Sequence, residues 1–238
     1  MIWTDVPWLG FDTETTGVHV HEDRLVTAAL VLRRAGAHPR EADLMRTWLA
    51  DPGVEIPEKA SAVHGITTEY ARENGQPITQ VLDDVASTLT DHWKRGFPVV
   101  VFNAPYDISL MEAELRRHGL PTLEERLGRL PSPVIDPLVI DRVVGKYRKG
   151  KKTLVLMAPV YGVVAEENAH TAEVDVQMTL DVLGGIARKH SDTFGAMTCM
   201  ELHEWQKREH AQWAADREEY MRRSVGKEVV ISRAWPLE

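Results

Sequence analysis

Apolar runs of strand length come first along this chain, and segments with apolar residues at helical spacing follow, alternating with short strands. Residues 8–11 (Trp-Leu-Gly-Phe) lead into Asp-Thr-Glu-Thr-Thr-Gly at 12–17, a predicted strand ending in a glycine turn. A second apolar run covers 25–32, and a third strand is expected at 44–49. Ala35-Gly36-Ala37-His38-Pro39 reads as the turn between them, so the first three strands should form an antiparallel meander. Val81, Leu82, Val85 and Leu89 then mark a helix over 78–93. A short buried strand is expected at 99–102, a helix at 106–118 closed by Gly119, and a strand at Val134 and Ile135 stopped by Pro137. Further helices are predicted over 153–160 and 172–189. Strands first, then alternation, define an α/β sandwich around a mixed sheet.

After Ser191 the character changes. Residues 200–223 are dense in Glu, Lys, Arg and Trp, with Leu202, Trp205, Trp213 and Tyr220 near helical spacing. The pattern predicts a long C-terminal helix whose aromatic stripe docks on the core; the alternative is a platform on which bases stack. The chain thus divides into a main domain, 1–190, and a C-terminal helical extension, 191–238. It shows neither internal repeats nor low-complexity segments.

Composition narrows the class. At 238 residues, 43% hydrophobic and 27% charged, the chain can bury one α/β core and carry an appendage. No apolar run approaches the ~20 residues of a membrane helix, and the N-terminus does not read as an export signal. The single cysteine, Cys199, excludes an internal disulfide and suits a reducing cytoplasm. The formal charge of -8 argues against a protein that coats duplex nucleic acid through a basic surface.

The candidate chemistry lies in carboxylates. Asp12 and Glu14 form a D-x-E pair at the end of a strand, where residues i and i+2 share a face and can converge on one ion. Asp216 and Glu218 form a second pair, but on a helix such residues diverge, which predicts mere surface charge. Asp107 opens a helical stripe with Leu110, Met111 and Leu115; Asp175 does the same with Met178, Thr179, Val182 and Ile186. Each shares a face with residues that pack inward, where an uncompensated carboxylate is costly. A salt bridge or a helix cap would answer for either alone. Four such groups from separate elements point to a divalent metal site, and all-oxygen ligands favour Mg²⁺ or Mn²⁺. His170 lies five residues before Asp175. With Thr171 as N-cap it falls on the preceding loop, and an imidazole there is the natural general base.

Three blocks of this sequence resemble the DnaQ-like exonucleases with the DEDDh pattern: Phe11-Asp12-Thr13-Glu14-Thr15-Thr16-Gly17, Asn103-Ala104-Pro105-Tyr106-Asp107, and His170-Thr171-Ala172-Glu173-Val174-Asp175. The second departs from the family in having Tyr106 where Phe is commoner. Val63-His64-Gly65-Ile66-Thr67 and Lys152-Thr153-Leu154 agree as accessory stretches, and the likeness covers roughly residues 7 to 190. The resemblance implies a ribonuclease H-like fold and hydrolysis of phosphodiester bonds at the 3' end of single-stranded DNA, with release of nucleoside 5'-monophosphates. It implies two divalent ions about 3.5 to 4 Å apart on Asp12, Glu14, Asp107 and Asp175, with His170 accepting the proton of the attacking water. It further implies that Thr15, Thr16, His64, Ile66 and Asn103 line the pocket for the terminal nucleotide.

The basic run Lys-Tyr-Arg-Lys-Gly-Lys-Lys at 146–152 offers Lys149, Lys151 and Lys152 to phosphates further back on the strand, or is a solvated loop. Expected partners are a nucleic acid with a single-stranded 3' end and a polymerase held by the C-terminal tail; no membrane is expected. Rival readings are an exoribonuclease, a proofreading subunit, and a glycosidase using two carboxylates. The last would leave the other acids and His170 without a role.

Overall fold

A computed structural model of the chain describes residues 1–34, 40–165 and 171–238. The meander is present as β1 (Trp8–Thr15), β2 (Leu25–Arg33) and β3 (Leu44–Asp51), antiparallel throughout. Helices α1 (Glu58–His64) and α2 (Thr68–Asn74) follow, then β4 (Gln76–Pro77), α3 (Ile78–Lys94), β5 (Val99–Val100), α4 (Ala104–Arg117) and α5 (Leu123–Leu127). The remainder is β6 (Val134–Ile135), α6 (Pro137–Val144), α7 (Leu154–Met157), α8 (Ala172–Lys189), α9 (Ser191–Phe194) and α10 (Cys199–Tyr220). Among the described residues the sheet has six strands in the order β4-β3-β2-β1-β5-β6, with β5 parallel to β1 and β6 parallel to β5.

Strand alternation in β1 assigns the two faces of the sheet. Leu9 and Phe11 enter one core with Leu82, Leu89, Ile108 and Met111 of α3 and α4. Trp8 enters the other with Val176, Leu180 and Leu183 of α8. Gly10 lets α8 cross closely, because a Cβ there would lie 2.5 Å from Cγ1 of Val176. The even face of β1, the one that carries Asp12 and Glu14, is thereby turned toward α8. In α3, Val81, Leu82, Val85 and Leu89 are fully buried. Leu82→Ala should cost about 2–5 kcal/mol.

Several elements differ from expectation. The strand predicted over 99–102 is laddered only at Val99 and Val100, although the N–H of Val101 still donates to Ile135. The helix expected from residue 106 begins at Ala104, with Pro105 in its first turn, where a missing N–H costs nothing. The segment 153–160 splits at Pro159 into α7 and a 3-10 turn, Ala158–Tyr161. The turn at residues 35–39 lies outside the described residues.

The largest departure concerns α10. Its buried stripe is not aromatic but consists of Cys199, Leu202, His203, Gln206, His210 and Ala214. The reason is what it covers. β6 is an edge strand, with N–H and C=O groups that lack a neighbouring strand. Nδ1 of His203 accepts the N–H of Val134 at 3.0 Å, and Oε1 of Gln206 accepts that of Asp136 at 2.7 Å. Nε2 of Gln206 donates to the Val134 carbonyl at 3.1 Å. Polar side chains thus stand in for a seventh strand. Trp205 packs edge-on against Phe194 with ring centres 5.0 Å apart, Trp213 is half-buried, and Tyr220 is 52% exposed. Among the described residues, no helix is long and apolar enough to cross a membrane.

Candidate active site

Asp12 and Glu14 project from the α8 face of β1, and the first turn of α8 brings Asp175 to them. One carboxylate oxygen from each of the three lies within 4.8 Å of the others. Asp107 joins from α4. It is 3% exposed, and its Oδ1 accepts the hydroxyl proton of Thr13 at 2.7 Å. Burial, with the neighbouring charges of Asp107, Glu14 and Asp175, holds Asp12 well above the usual carboxylate range. Burial, then Asp175 and Asp107, push Glu14 up to about 8, and burial raises Asp107 to about 7. Asp107 is buried and Asp12, Glu14 and Asp175 are half-buried, and acids crowded together in this way oppose one another's ionisation. The donor set is all oxygen and converges on one volume, which fits a hard divalent cation.

The start of α4 is held by a residue that sequence reasoning missed. Asn103 adopts the left-handed conformation, φ 64° and ψ 50°, the only such non-glycine among the described residues. The buried carboxylate of Asp136 accepts the N–H of Asn103 at 3.1 Å, of Ala104 at 3.0 Å and of Leu138 at 2.9 Å. It thereby caps α6 and pins the turn that delivers Asp107. The readable signal was Asp136-Pro137, an N-cap followed by proline in the first helical turn.

Other predicted residues are placed as follows. The hydroxyl of Tyr106 donates to the Gly17 carbonyl and contacts Oγ1 of Thr15, both at 2.6 Å. Oγ1 of Thr16 donates to Asp23 at 3.0 Å and accepts the N–H of Arg24 at 2.9 Å. These hydroxyls therefore shape the loop after β1. His64 ends α1 before the left-handed Gly65, and its Nδ1 accepts the N–H of Ile66 at 3.1 Å. That bond assigns the ring proton to Nε2, which is buried without a partner. Thr171 stands at the N-cap of α8, but its hydroxyl makes no capping bond and is also buried without a partner. His64, Ile66, Thr171 and Glu14 line one cleft of about 200 Å³. Asn103 and Tyr106 line another, on the α4 side.

The basic run separates. Lys149 and Lys151 are exposed, whereas Lys152 donates to the Asp141 carboxylate at 2.8 Å and to the carbonyls of Asp141 and Gly145. Arg148 and Tyr161 complete this knot around the buried Asp141. The three N–H donors of Lys152 are thus already occupied, and only two of the three predicted lysines face solvent. His170 lies outside the described residues. On α10, Asp216 is exposed as expected. Glu218 is not merely solvated: it accepts the N–H of Ile231 at 2.8 Å and pairs with Arg233 at 2.6 Å, which ties down the C-terminal segment.

A mixed sheet whose central strand carries paired carboxylates, met by acids from two helices, is the frame of a nuclease. Residues 9–183 match the Exonuclease (RNase_T) family, and the chain belongs to that family, within the DnaQ-like superfamily that its motifs resemble. It is a nuclease, and a hydrolase. Among curated relatives it is 27% identical over 177 residues to "DNA polymerase III PolC-type" of Streptococcus thermophilus, covering 74% of this chain and 11% of that one. It is 28% identical over 194 residues to the enzyme of the same name from Streptococcus sanguinis, covering 80% and 12%. The chain therefore spans about an eighth of the length of these relatives. Among solved structures, the E. coli ExoI-ssDNA complex superposes with a TM-score of 0.66 at 18% identity, covering 80% of this chain and 42% of that one. Exonuclease I from Methylocaldum szegediense gives 0.62 at 18% identity, with the same coverage. The fold is thus ribonuclease H-like.

Proposed function

We propose that this chain is a 3'-to-5' exonuclease of single-stranded DNA that releases nucleoside 5'-monophosphates one at a time. The observation that carries this reading is the convergence of Asp12, Glu14 and Asp175 on one volume beside Asp107, with their charge opposed by burial. The four would hold two divalent ions, Mg²⁺ or Mn²⁺. Bound there, the ions would supply Lewis-acid stabilisation of charge on the attacking and departing oxygens. The protein's own groups do the rest. The Nε2–H of His64 and the hydroxyl of Thr171 are unspent donors in a cleft beside Glu14, suited to the terminal nucleotide with Ile66 against its apolar part. Thr15, Thr16 and Asn103 are assigned to the same nucleotide on their motifs, and Tyr106, Asp23 and Asp136 hold them in place. His170, five residues before Asp175, is assigned the proton of the attacking water on its motif. Lys149 and Lys151 are assigned to phosphates upstream. We assign residues 1–190 to the exonuclease domain, 191–238 to the extension, and the cytoplasm as the compartment.

The match to DNA polymerases favours a second reading, a proofreading or accessory subunit joined to a polymerase through residues 191–238. A digestion panel of 5'-labelled single-stranded DNA, duplex DNA and RNA tests the primary reading. A ladder shortening from the 3' end, fastest on single-stranded DNA, is expected. Preference for RNA would move the assignment to an exoribonuclease. Internal cuts or 3'-phosphate products would sink it.

A further inference from the structure

Two clefts lie along the C-terminal helix, and they share a wall. The first, about 500 Å³, is lined by Asn103 and Tyr106 at the start of α4, by the loop after β1, and by Arg142, His210 and Trp213. The second, about 410 Å³, runs between α6 and α10 past Lys146 and Arg217 to Tyr220. Arg142 and Trp213 line both, with the guanidinium carbon 3.6 Å from the centre of the indole ring.

Three features make this wall a binding surface rather than packing. Arg142 makes no hydrogen bond or ion pair among the described residues, so its N–H donors are uncommitted, although the charge of Asp136 acts on it. His210, 7% exposed, spends Nε2 on the Ser232 carbonyl at 3.1 Å, while its Nδ1 is buried without a partner. Further along, Arg217 lies 5.3 Å over Tyr220, so a cation and a ring are paired twice along one path. The second cleft carries Arg142, Lys146 and Arg217 against Glu209 and Asp216, an excess of one positive charge on a chain of net -8. Lys146 already neutralises Asp216 in part, at 3.8 Å. Glu22 and Glu238 also line the first cleft, so Arg142 there faces two carboxylates, and paired cations and rings rather than net charge mark this wall.

We propose that a single nucleic-acid strand leaves the candidate active site over this wall, a phosphate on Arg142, bases stacked against the Arg142–Trp213 layer, and the Arg217–Tyr220 pair next. Alternating cations and rings suit a strand read without regard to sequence, because every base has a π-face. The path starts at Asn103 and Tyr106, next to Asp107, where a strand with its end in the site would emerge. The aromatic residues of α10 therefore divide their labour: Trp205 docks the helix and Trp213 and Tyr220 face the strand. This inference rests on the exonuclease reading above.

The test uses the full chain with Arg142→Ala, Trp213→Ala and Tyr220→Ala. The last removes an exposed ring and does not threaten the fold. Two readouts are taken: the ratio of kcat/KM on a strand of roughly 12 nucleotides to that on a dinucleotide, and the binding of the labelled longer strand in chelator, where nothing is cut. The path predicts that Arg142→Ala and Trp213→Ala each lower the ratio and weaken binding roughly tenfold, with a smaller loss for Tyr220→Ala. Loss in proportion on both substrates, with the ratio intact, would show a structural role and overturn the proposal. So would unchanged binding of the longer strand in all three variants, which would leave the clefts to a protein partner. If the wild type cut neither substrate, the exonuclease reading would fail, while the binding arm would still judge the path.

Discussion

Asp12 is the residue on which activity and stability pull apart. Its pKa is raised by burial and by Asp107, Glu14 and Asp175, so its ionised form is less comfortable in the folded protein than in the unfolded chain. The same holds for Glu14, raised to about 8. A carboxylate raised in this way contributes stability below its unfolded pKa of about 4, and loses it as pH climbs through the folded value. The metal-free protein should therefore weaken between pH 4 and 8 through this cluster. Asp12→Asn removes one charge without removing bulk. We expect it to lower kcat by at least roughly 10³-fold, since several kcal/mol of charge stabilisation depend on the bound ions. We also expect it to raise the metal-free melting temperature at pH 8 by some degrees, at roughly 2–4 °C per kcal/mol. Calorimetry with and without Mg²⁺ checks both halves. A lower melting point for the variant at pH 8 would show that Asp12 is held by something other than an awaited cation. The D-x-E spacing and the inward stripes of Asp107 and Asp175 made these acids readable. For Asp136 the Asp-Pro pair could have reported the cap on α6, but not its bonds to the backbone of Asn103 and Ala104, which no sequence period reports.

At the scale of elements, legibility follows length. β1, β2, α3 and α8 each give enough residues for a period to emerge, and the predicted helix over 172–189 matches α8 at both ends. β5 and β6, two residues each, were found as short apolar runs rather than by alternation, whereas β4, with two residues, and α1, α2, α5 and α6, at most eight long, were too short for a period to emerge. The face by which α10 docks was misread for a different reason. Apolar patterning finds helices that cover a sheet's face, but one that covers a sheet's edge must present hydrogen-bonding groups. Gln206→Leu would leave the N–H of Asp136 and the carbonyl of Val134 buried and unpaired, at about 1–3 kcal/mol each. A fall of several degrees in melting temperature is expected, and an unchanged value would show that water replaces the side chain. His203 makes the same docking sensitive to acid. Burial pushes its imidazole down to about 4, and its Nδ1 must stay unprotonated to accept from Val134. The unfolded chain takes up a proton near pH 6.5 where the folded one does not, so stability falls from there toward pH 4. His203→Asn, which keeps an acceptor and does not titrate, should flatten that slope relative to the wild type. His92, also pushed to about 4 by burial, contributes a slope of the same sign that both proteins share. Identical pH–melting curves for the two proteins would remove His203 from this account.

The molecule as a whole carries -8 and is proposed to hold a polyanion, and the way it manages this is spatial. The acids of the site would be answered by metal ions, the cleft between α6 and α10 carries an excess of one positive charge, and Lys149 and Lys151 are exposed beyond α6. Lys149→Ala with Lys151→Ala should raise KM for long strands, and the deficit should shrink at high salt, where phosphate contacts are worth less. A deficit independent of salt and of strand length would mark a folding defect. Cleavage is proposed to depend on divalent ions held by the cluster of Asp12, Glu14, Asp107 and Asp175. The most direct test of this is a titration of chelator-treated protein with Mn²⁺. Bound ion is counted by electron paramagnetic resonance, and release of the 3'-terminal nucleotide from single-stranded DNA is timed in the same samples. No cleavage is expected without metal, with a rate that rises with occupancy and lost binding in Asp12→Asn. Full cleavage in chelator, or undiminished Mn²⁺ binding by Asp12→Asn, would contradict this proposal.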